Sequence, residues 1–300
     1  MTKRQPAPAH DKGDLIANRY LLLRALSLGT TADVYEALHL GLGKSFALKL
    51  LHPSVVTTVS TRERFARRAL RLMGTRSAHV VRVIDVGADP GCCFLAAELL
   101  YGRNLAQELS GDGPLAVDDA VTFVLHAILG LRAAHATGLV HRDLRAANVY
   151  VADHPRERVA KLLGFGLTLD PLDVEASPLA HVAPERLDGE RPADGRTDVW
   201  ALGLMLSELL TGVQPFERDD AKSTRRAVLE FDPRPLDLVR PDVPAGLALI
   251  VQRALMKNPD ERYADVSELG VALSPFGHPE LIVPAPPPTS LIREVARRST

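Results

Sequence analysis

Apolar positions near the start of the chain come in short runs broken by turn-forming residues. Arg19–Leu26, Asp33–Ala37 and Ser45–Leu51 read as strands, joined by the turns Ser27–Ala32 and Gly41–Lys44. Residues 61–73 switch to helical spacing: Phe65, Ala69 and Leu72 fall on one face, with Arg64, Arg67, Arg68 and Arg71 on the adjacent stripe. Val80–Val86 and Cys92–Ala97 return to strand. Gly111-Asp112-Gly113-Pro114 marks a break, after which the pattern predicts helices at about 117–137, 197–212, 221–229, 245–256 and 265–273. Residues 1–17 are polar and read as a disordered lead-in, and 275–300 as an extended proline-rich tail around Pro284–Pro288. There is no internal repeat.

Composition narrows this little. The 300 residues are 46% apolar and 24% charged, with a formal net charge of −1. That suits a packed core and gives no global reason for nucleic-acid or membrane binding. Cys92 and Cys93 are the only cysteines, adjacent in sequence, and supply no disulfide framework. No apolar run reaches the roughly 20 residues needed to span a bilayer. The expectation is a cytoplasmic protein.

Five ordered motifs carry the chemistry. They are Phe46-Ala47-Leu48-Lys49, the run from Ala134 and His135 to His141-Arg142-Asp143, Ala183-Pro184-Glu185, Asp198-Val199-Trp200, and Asn258-Pro259-Asp260-Glu261-Arg262. In this order and spacing they resemble the eukaryotic-type Ser/Thr protein kinases found in bacteria, from about residue 19 to 274. The resemblance implies an α+β, bilobal protein-kinase fold over 18–274. Its small lobe, about 18–100, would be an antiparallel sheet with one main helix. Its large lobe, about 101–274, would be mainly helical. It further implies that Glu185 pairs with Arg262, that Asp198 holds the catalytic-loop backbone, and that Leu72, Val83, His141 and Phe165 form an apolar column between the lobes.

The resemblance assigns site residues one by one. Lys49 would face nucleotide phosphates, Val34 and Ala47 would roof the base, and the hinge would offer the Glu98 carbonyl and the Leu100 amide. Tyr150 would lie on the floor, where it could stack on a base or fill the pocket. Asp143 would orient a substrate hydroxyl, Arg145 would stand where lysine is usual, and Asn148 would help hold metal. ATP or ADP would be the ligand.

The departures fall where phosphate and metal bind. Gly164 replaces the metal-binding acid before Phe165. Arg68 replaces the helix glutamate that holds the lysine; two cations about 4 Å apart repel by roughly 4 kcal/mol at an effective dielectric near 20. The helix must therefore swing away, or an anion must sit between Lys49 and Arg68. Of the glycine-rich turn only Gly29 remains, with Ser27 and Ala32 at the other positions. Losing metal stabilisation costs on the order of a thousandfold in rate or more, so Mg²⁺ use is put in question. Asp170 and Asp173 are the nearest downstream acids, Thr168 and Ser177 are the activation segment's only hydroxyls, and 177–182 departs from the family pattern.

Taken together, the sequence favours a pseudokinase that binds nucleotide weakly or without metal and acts through a protein partner. A low-activity ATP-dependent Ser/Thr kinase and a nucleotide-independent scaffold are the alternatives. The oligomeric state is left open.

Overall fold

The structure, a computed structural model, describes residues 10–89, 92–153, 158–165, 178–189 and 191–278. Its first part is an antiparallel sheet of β1 (Leu15–Ile16), β2 (Tyr20–Leu28), β3 (Ala32–His39), β4 (Lys44–Leu51), β5 (Val83–Asp89) and β6 (Cys92–Glu98), in the order β1-β2-β3-β4-β6-β5. Side chains alternate across it, as the two-residue period of a strand requires. Tyr35, Ala37, Leu48 and Leu50 are buried on one face with Tyr20, Leu22 and Phe94. Val34, Ala47 and Lys49 therefore share the other face, with Val34 directly opposite Lys49. The same alternation sends Cys92 and Cys93 into different clusters; burial raises both thiols above their ordinary range.

Helix α1 (Val59–Gly74) starts at Thr58, whose side chain accepts the Thr61 amide. It buries Phe65, Ala69 and Leu72, and with them Arg68, which is only 8% exposed. The basic stripe is thus not one solvated face.

The second part holds a three-stranded sheet and a helical body. Its strands are β7 (Gly102–Asn104), β8 (Val149–Ala152) and β9 (Val159–Leu162). Its helices are α2 (Leu105–Asp112), α3 (Val117–Ala136), α4 (Pro184–Asp188), α5 (Gly195–Thr211), α6 (Ala221–Glu230), α7 (Leu236–Val239), α8 (Ala245–Ala254) and α9 (Val266–Leu273). α3 and α5 are apolar around most of their circumference, so each is enclosed by other elements rather than laid on a surface. No helix among the described residues is long and apolar enough to cross a membrane.

Two boundaries differ from the sequence reading. Residues 10–17, expected to be disordered, begin the sheet: Ile16 is buried, and Gly13 and Asp14 exchange backbone hydrogen bonds with Leu22. A single isoleucine anchored this way is too weak a pattern to register as a strand. Residues 80–82, expected to open a strand of the first sheet, instead join the two parts. Val80 bridges Leu162, and the Val81 amide donates to the Leu162 carbonyl. The tail beyond His278 lies outside the described residues.

Arg262 and Glu185 form a buried ion pair, with Nη2 to Oε2 at 2.7 Å. All five guanidinium donors are used, on both Glu185 oxygens and on the Met256, Lys257 and Arg196 carbonyls. An ammonium cannot reproduce that fork. Arg262→Lys should lower stability by about 3 kcal/mol in urea unfolding, and a loss under about 1 kcal/mol would show that the pair is not structural.

His79 and His126 stack at 4.5 Å and bracket Ala160 of β9. His79 Nδ1 donates to the Ala160 carbonyl, and His126 Nδ1 accepts the Ala160 amide. Burial, with His79 nearby, lowers the His126 pKa to about 4. Its folded pKa lies below the unfolded value, so the unfolded chain takes up the proton first as pH falls. Stability is full above about pH 6.5 and declines toward pH 4, by an order of 3 kcal/mol. His126→Asn keeps an acceptor for the Ala160 amide and cannot titrate. Urea midpoints measured from pH 7 to 4.5 should fall less steeply in that variant.

Candidate functional site

The catalytic-loop segment is fixed by one carboxylate. Asp198, fully buried in the first turn of α5, accepts the His141 amide at 2.9 Å, the Arg142 amide at 3.0 Å and His135 Nε2 at 2.7 Å. Burial alone would raise its pKa, but these donors outweigh it and hold Asp198 below the ordinary carboxylate range. Arg142 is thereby kept at φ +70°, a left-handed conformation that costs a side-chain-bearing residue about 1 kcal/mol. His141, buried and pushed down in pKa by that burial, bonds the Leu163 carbonyl through Nε2 and packs on Phe165 at 4.5 Å. Leu72, Val83 and Phe165 lie in the same buried cluster.

Asp143 is held from two sides. The Asn148 side-chain amide donates to its carbonyl at 2.6 Å and to Oδ2 at 3.0 Å, while Arg145 Nε lies 3.5 Å from Oδ1. Asn148 also rests against Gly164: a Cβ built there would meet Asn148 Cγ and Oδ1 at 3.3 Å. Gly164 has φ +91°, a conformation that glycine adopts freely. A side chain at 164 therefore has to displace Asn148 as well as accept strain.

Lys49 faces this loop from β4. It retains partial exposure, yet dense protein surrounds it, and burial lowers its pKa. Asp143 opposes that shift and Arg145 adds to it. Among the described residues the Lys49 ammonium makes no ion pair or hydrogen bond. Gly29 donates its amide to Asp33 Oδ1 at 3.2 Å, and a Cβ there would lie 2.7 Å from the Ala32 carbonyl oxygen. The one remaining glycine of the turn is thus needed for close backbone approach, and its amide is already occupied by a buried acid. Nothing in the local pattern marked Asp33 for that role.

At the hinge, the Leu100 amide donates no hydrogen bond among the described residues. The Glu98 side chain accepts the Arg82 amide and Lys161 Nζ. Tyr150 is half-buried, donates its hydroxyl to the Gly102 carbonyl at 2.8 Å, and is close enough to Arg24 of β2 to feel its charge. Its ring is therefore anchored by the hydroxyl end. Asp170, Asp173, Thr168 and Ser177 lie outside the described residues.

Arg68 requires a correction. It was expected at the position facing Lys49, with either the helix swung away or an anion between the two cations. Instead its Nη2 donates to the Val140 and Phe165 carbonyls, both at 2.8 Å, across the junction between α1 and the catalytic loop. The charges it feels are Arg142, Asp198, Arg71 and Arg64, not Lys49. Burial lowers its pKa to about 10, so it stays a cation at neutral pH. Mutual repulsion is avoided because the long side chain turns away from the lysine and finds two backbone acceptors. Arg68→Met should cost about 1–3 kcal/mol and speed hydrogen exchange of the α1 amides. Unchanged exchange would mean that the contact does not hold the helix.

Comparison with known proteins agrees with this architecture. Residues 20–269 match the family model "Protein kinase domain". The chain is 34% identical to the serine/threonine-protein kinase PknL of Mycobacterium tuberculosis, over 91% of this chain and 70% of that one. It is 32% identical to PknE of the same species, over 84% of this chain and 45% of that one. The crystal structure of the M. tuberculosis PknI kinase domain superposes with a TM-score of 0.73 at 27% identity, covering 88% of this chain and 98% of that one. With its bilobal fold and ordered motifs, the chain belongs to the protein kinase domain family, among the bacterial members of eukaryotic type.

Proposed function

We propose that the chain is a kinase-fold signalling protein that has lost metal-dependent phosphotransfer, takes ATP or ADP weakly and without Mg²⁺, and acts through protein interaction. The observation that carries this reading is the placement of Arg68. The residue that in the family would hold the lysine is committed to the Val140 and Phe165 carbonyls. Helix α1 is thus docked through backbone carbonyls, with no ion pair between Arg68's helix and Lys49 among the described residues.

Three further features support it. Mg²⁺ asks for near-octahedral oxygen ligands, usually one or two carboxylates besides phosphate. At the corresponding place this chain offers Gly164, which has no side-chain ligand, and Asn148, whose Nδ2 donates to Asp143 and whose one neutral Oδ1 is the oxygen left for a cation. A single neutral amide oxygen without the carboxylate at 164 does not make a site for Mg²⁺. Second, the Gly29 amide is taken by Asp33. Third, the family's acid at 164 repels phosphate unless metal screens it, and here that acid is gone. A nucleotide's phosphates would meet Lys49 and Arg145, with Asp143 the acid that faces Lys49 among the described residues. A low-activity kinase is the second reading, favoured by the intact pairing of Asp143 with Asn148.

Calorimetric ATP titration with Mg²⁺ and with EDTA should give affinities within about threefold of each other. Lys49→Met should abolish binding and, by removing a desolvated amine, leave the ligand-free protein at least as stable as the parent. Radiolabelled ATP should leave no phosphate on the chain. Mg²⁺-dependent incorporation that disappears in Asp143→Asn would establish the kinase reading instead. Binding that only Mg²⁺ permits would also defeat the proposal.

A further inference from the structure

A second cleft, of about 440 Å³, opens at the C-terminal end of α1; neither Lys49 nor Asp143 lines it, and it reaches the hinge only at the side chain of Glu98. Met73 forms one wall, and Val80 and Val83 contribute apolar surface beneath it. Val80 and Val83 are buried, whereas Met73 is 37% exposed. Arg76, Arg82 and Lys161 bring three cations and Glu98 one carboxylate. Lys161 and Glu98 neutralise each other at 2.6 Å. Arg76 and Arg82 are exposed, and neither guanidinium makes an ion pair or hydrogen bond among the described residues. The basic character continues onto the outer face of α1, where Arg67 is exposed beside Leu70, itself 60% exposed.

We infer that this cleft is a docking site for an acidic segment of a partner protein, one carrying an apolar side chain between carboxylates. Charge complementarity selects the occupant. Two guanidinium groups with no ion pair among the described residues flank the exposed Met73 and the edges of Val80 and Val83, and guanidinium is suited to bidentate pairing with carboxylate. An isolated exposed ion pair contributes little in water, so a lone small anion would gain almost nothing here. A peptide can engage both arginines and place a side chain against Met73, Val80 and Val83 in one event, which makes the second contact intramolecular. Charged rims of this kind set partner choice and encounter rate, while the apolar centre excludes water. The Glu98–Lys161 pair keeps the floor from becoming uniformly basic, which disfavours an extended polyanion. The inference deepens the reading of the chain as an interaction module. Its test involves no phosphotransfer, so either can fail alone.

The probe is a fluorescein-labelled ten-residue peptide in which two leucines are flanked by glutamates, followed by anisotropy against the full chain at 50 mM salt. Saturable binding is expected, weakened at least fivefold at 300 mM salt. The double variant Arg76→Ala with Arg82→Ala should weaken it at least tenfold, and Met73→Glu should do the same while leaving both arginines in place. All these positions are exposed, so the variants should melt like the parent. Arg234→Ala, a distant exposed arginine, should change nothing. The inference is overturned by absence of binding at 50 mM salt, by equal binding of the peptide with glutamine for glutamate, or by a loss in Arg234→Ala matching that of the double variant. Competition by inorganic phosphate at equal concentration would also overturn it, since the site would then be a simple anion hole.

Discussion

A buried carboxylate, Asp198, sets the terms for the rest of the large lobe. It is fully enclosed, and a charge in that position persists only where donors surround it. Its donors are two consecutive backbone amides of the catalytic loop and a histidine from α3, so satisfying the acid also shapes the loop. The left-handed Arg142 is a consequence rather than a defect, because the strain is small beside the cost of leaving Asp198 unpaired. The same negative charge favours the protonated forms of His141, Arg68 and Arg186, and is therefore the counterweight to a cationic junction.

That counterweight explains how a buried arginine can occupy a position where the family has an acid. Arg68 does not replace the glutamate's contact with Lys49; it makes a different contact, with backbone rather than with a side chain. A carbonyl acceptor is present whatever the neighbouring side chains are, so the helix is held without depending on a partner acid. Substituting the acid at 164 then carries no penalty for docking α1. The two departures are compatible for a physical reason: neither needs the other's missing charge. The Arg262–Glu185 pair, by contrast, uses side chains on both sides and tolerates no such change.

Much of the fold was legible because its signals are long or repeated. α3 and α5 announced themselves as continuous apolar helices, and the five motifs lay in order at family-like spacing. What was missed was short or depended on distant residues. β1 rests on Ile16 alone. α2 has only eight residues, and its start depends on a capping box between Asn104 and Gln107 rather than on periodicity. At the site, the identities of Lys49, Asp143, Asn148 and Gly164 could be read, but their pairings could not. Arg68 bonds partners 72 and 97 residues away, and the Asp33 carboxylate turns back on Gly29; neither direction is written in local sequence.

Lys49 is the residue left without a structural reason of its own. Burial pushes its ammonium toward neutrality, Arg145 pushes the same way, and only Asp143 opposes them. An apolar side chain of similar length would fill the space without that penalty. A desolvated cation with no ion pair or hydrogen bond among the described residues is stabilised by any anion brought beside it, which is the physical basis of the proposed nucleotide contact. The cleft carries this at Lys49 while α1 is anchored elsewhere. Occupancy of the cleft and docking of the helix are thus separable in this chain, whereas a lysine–glutamate pair would have linked them.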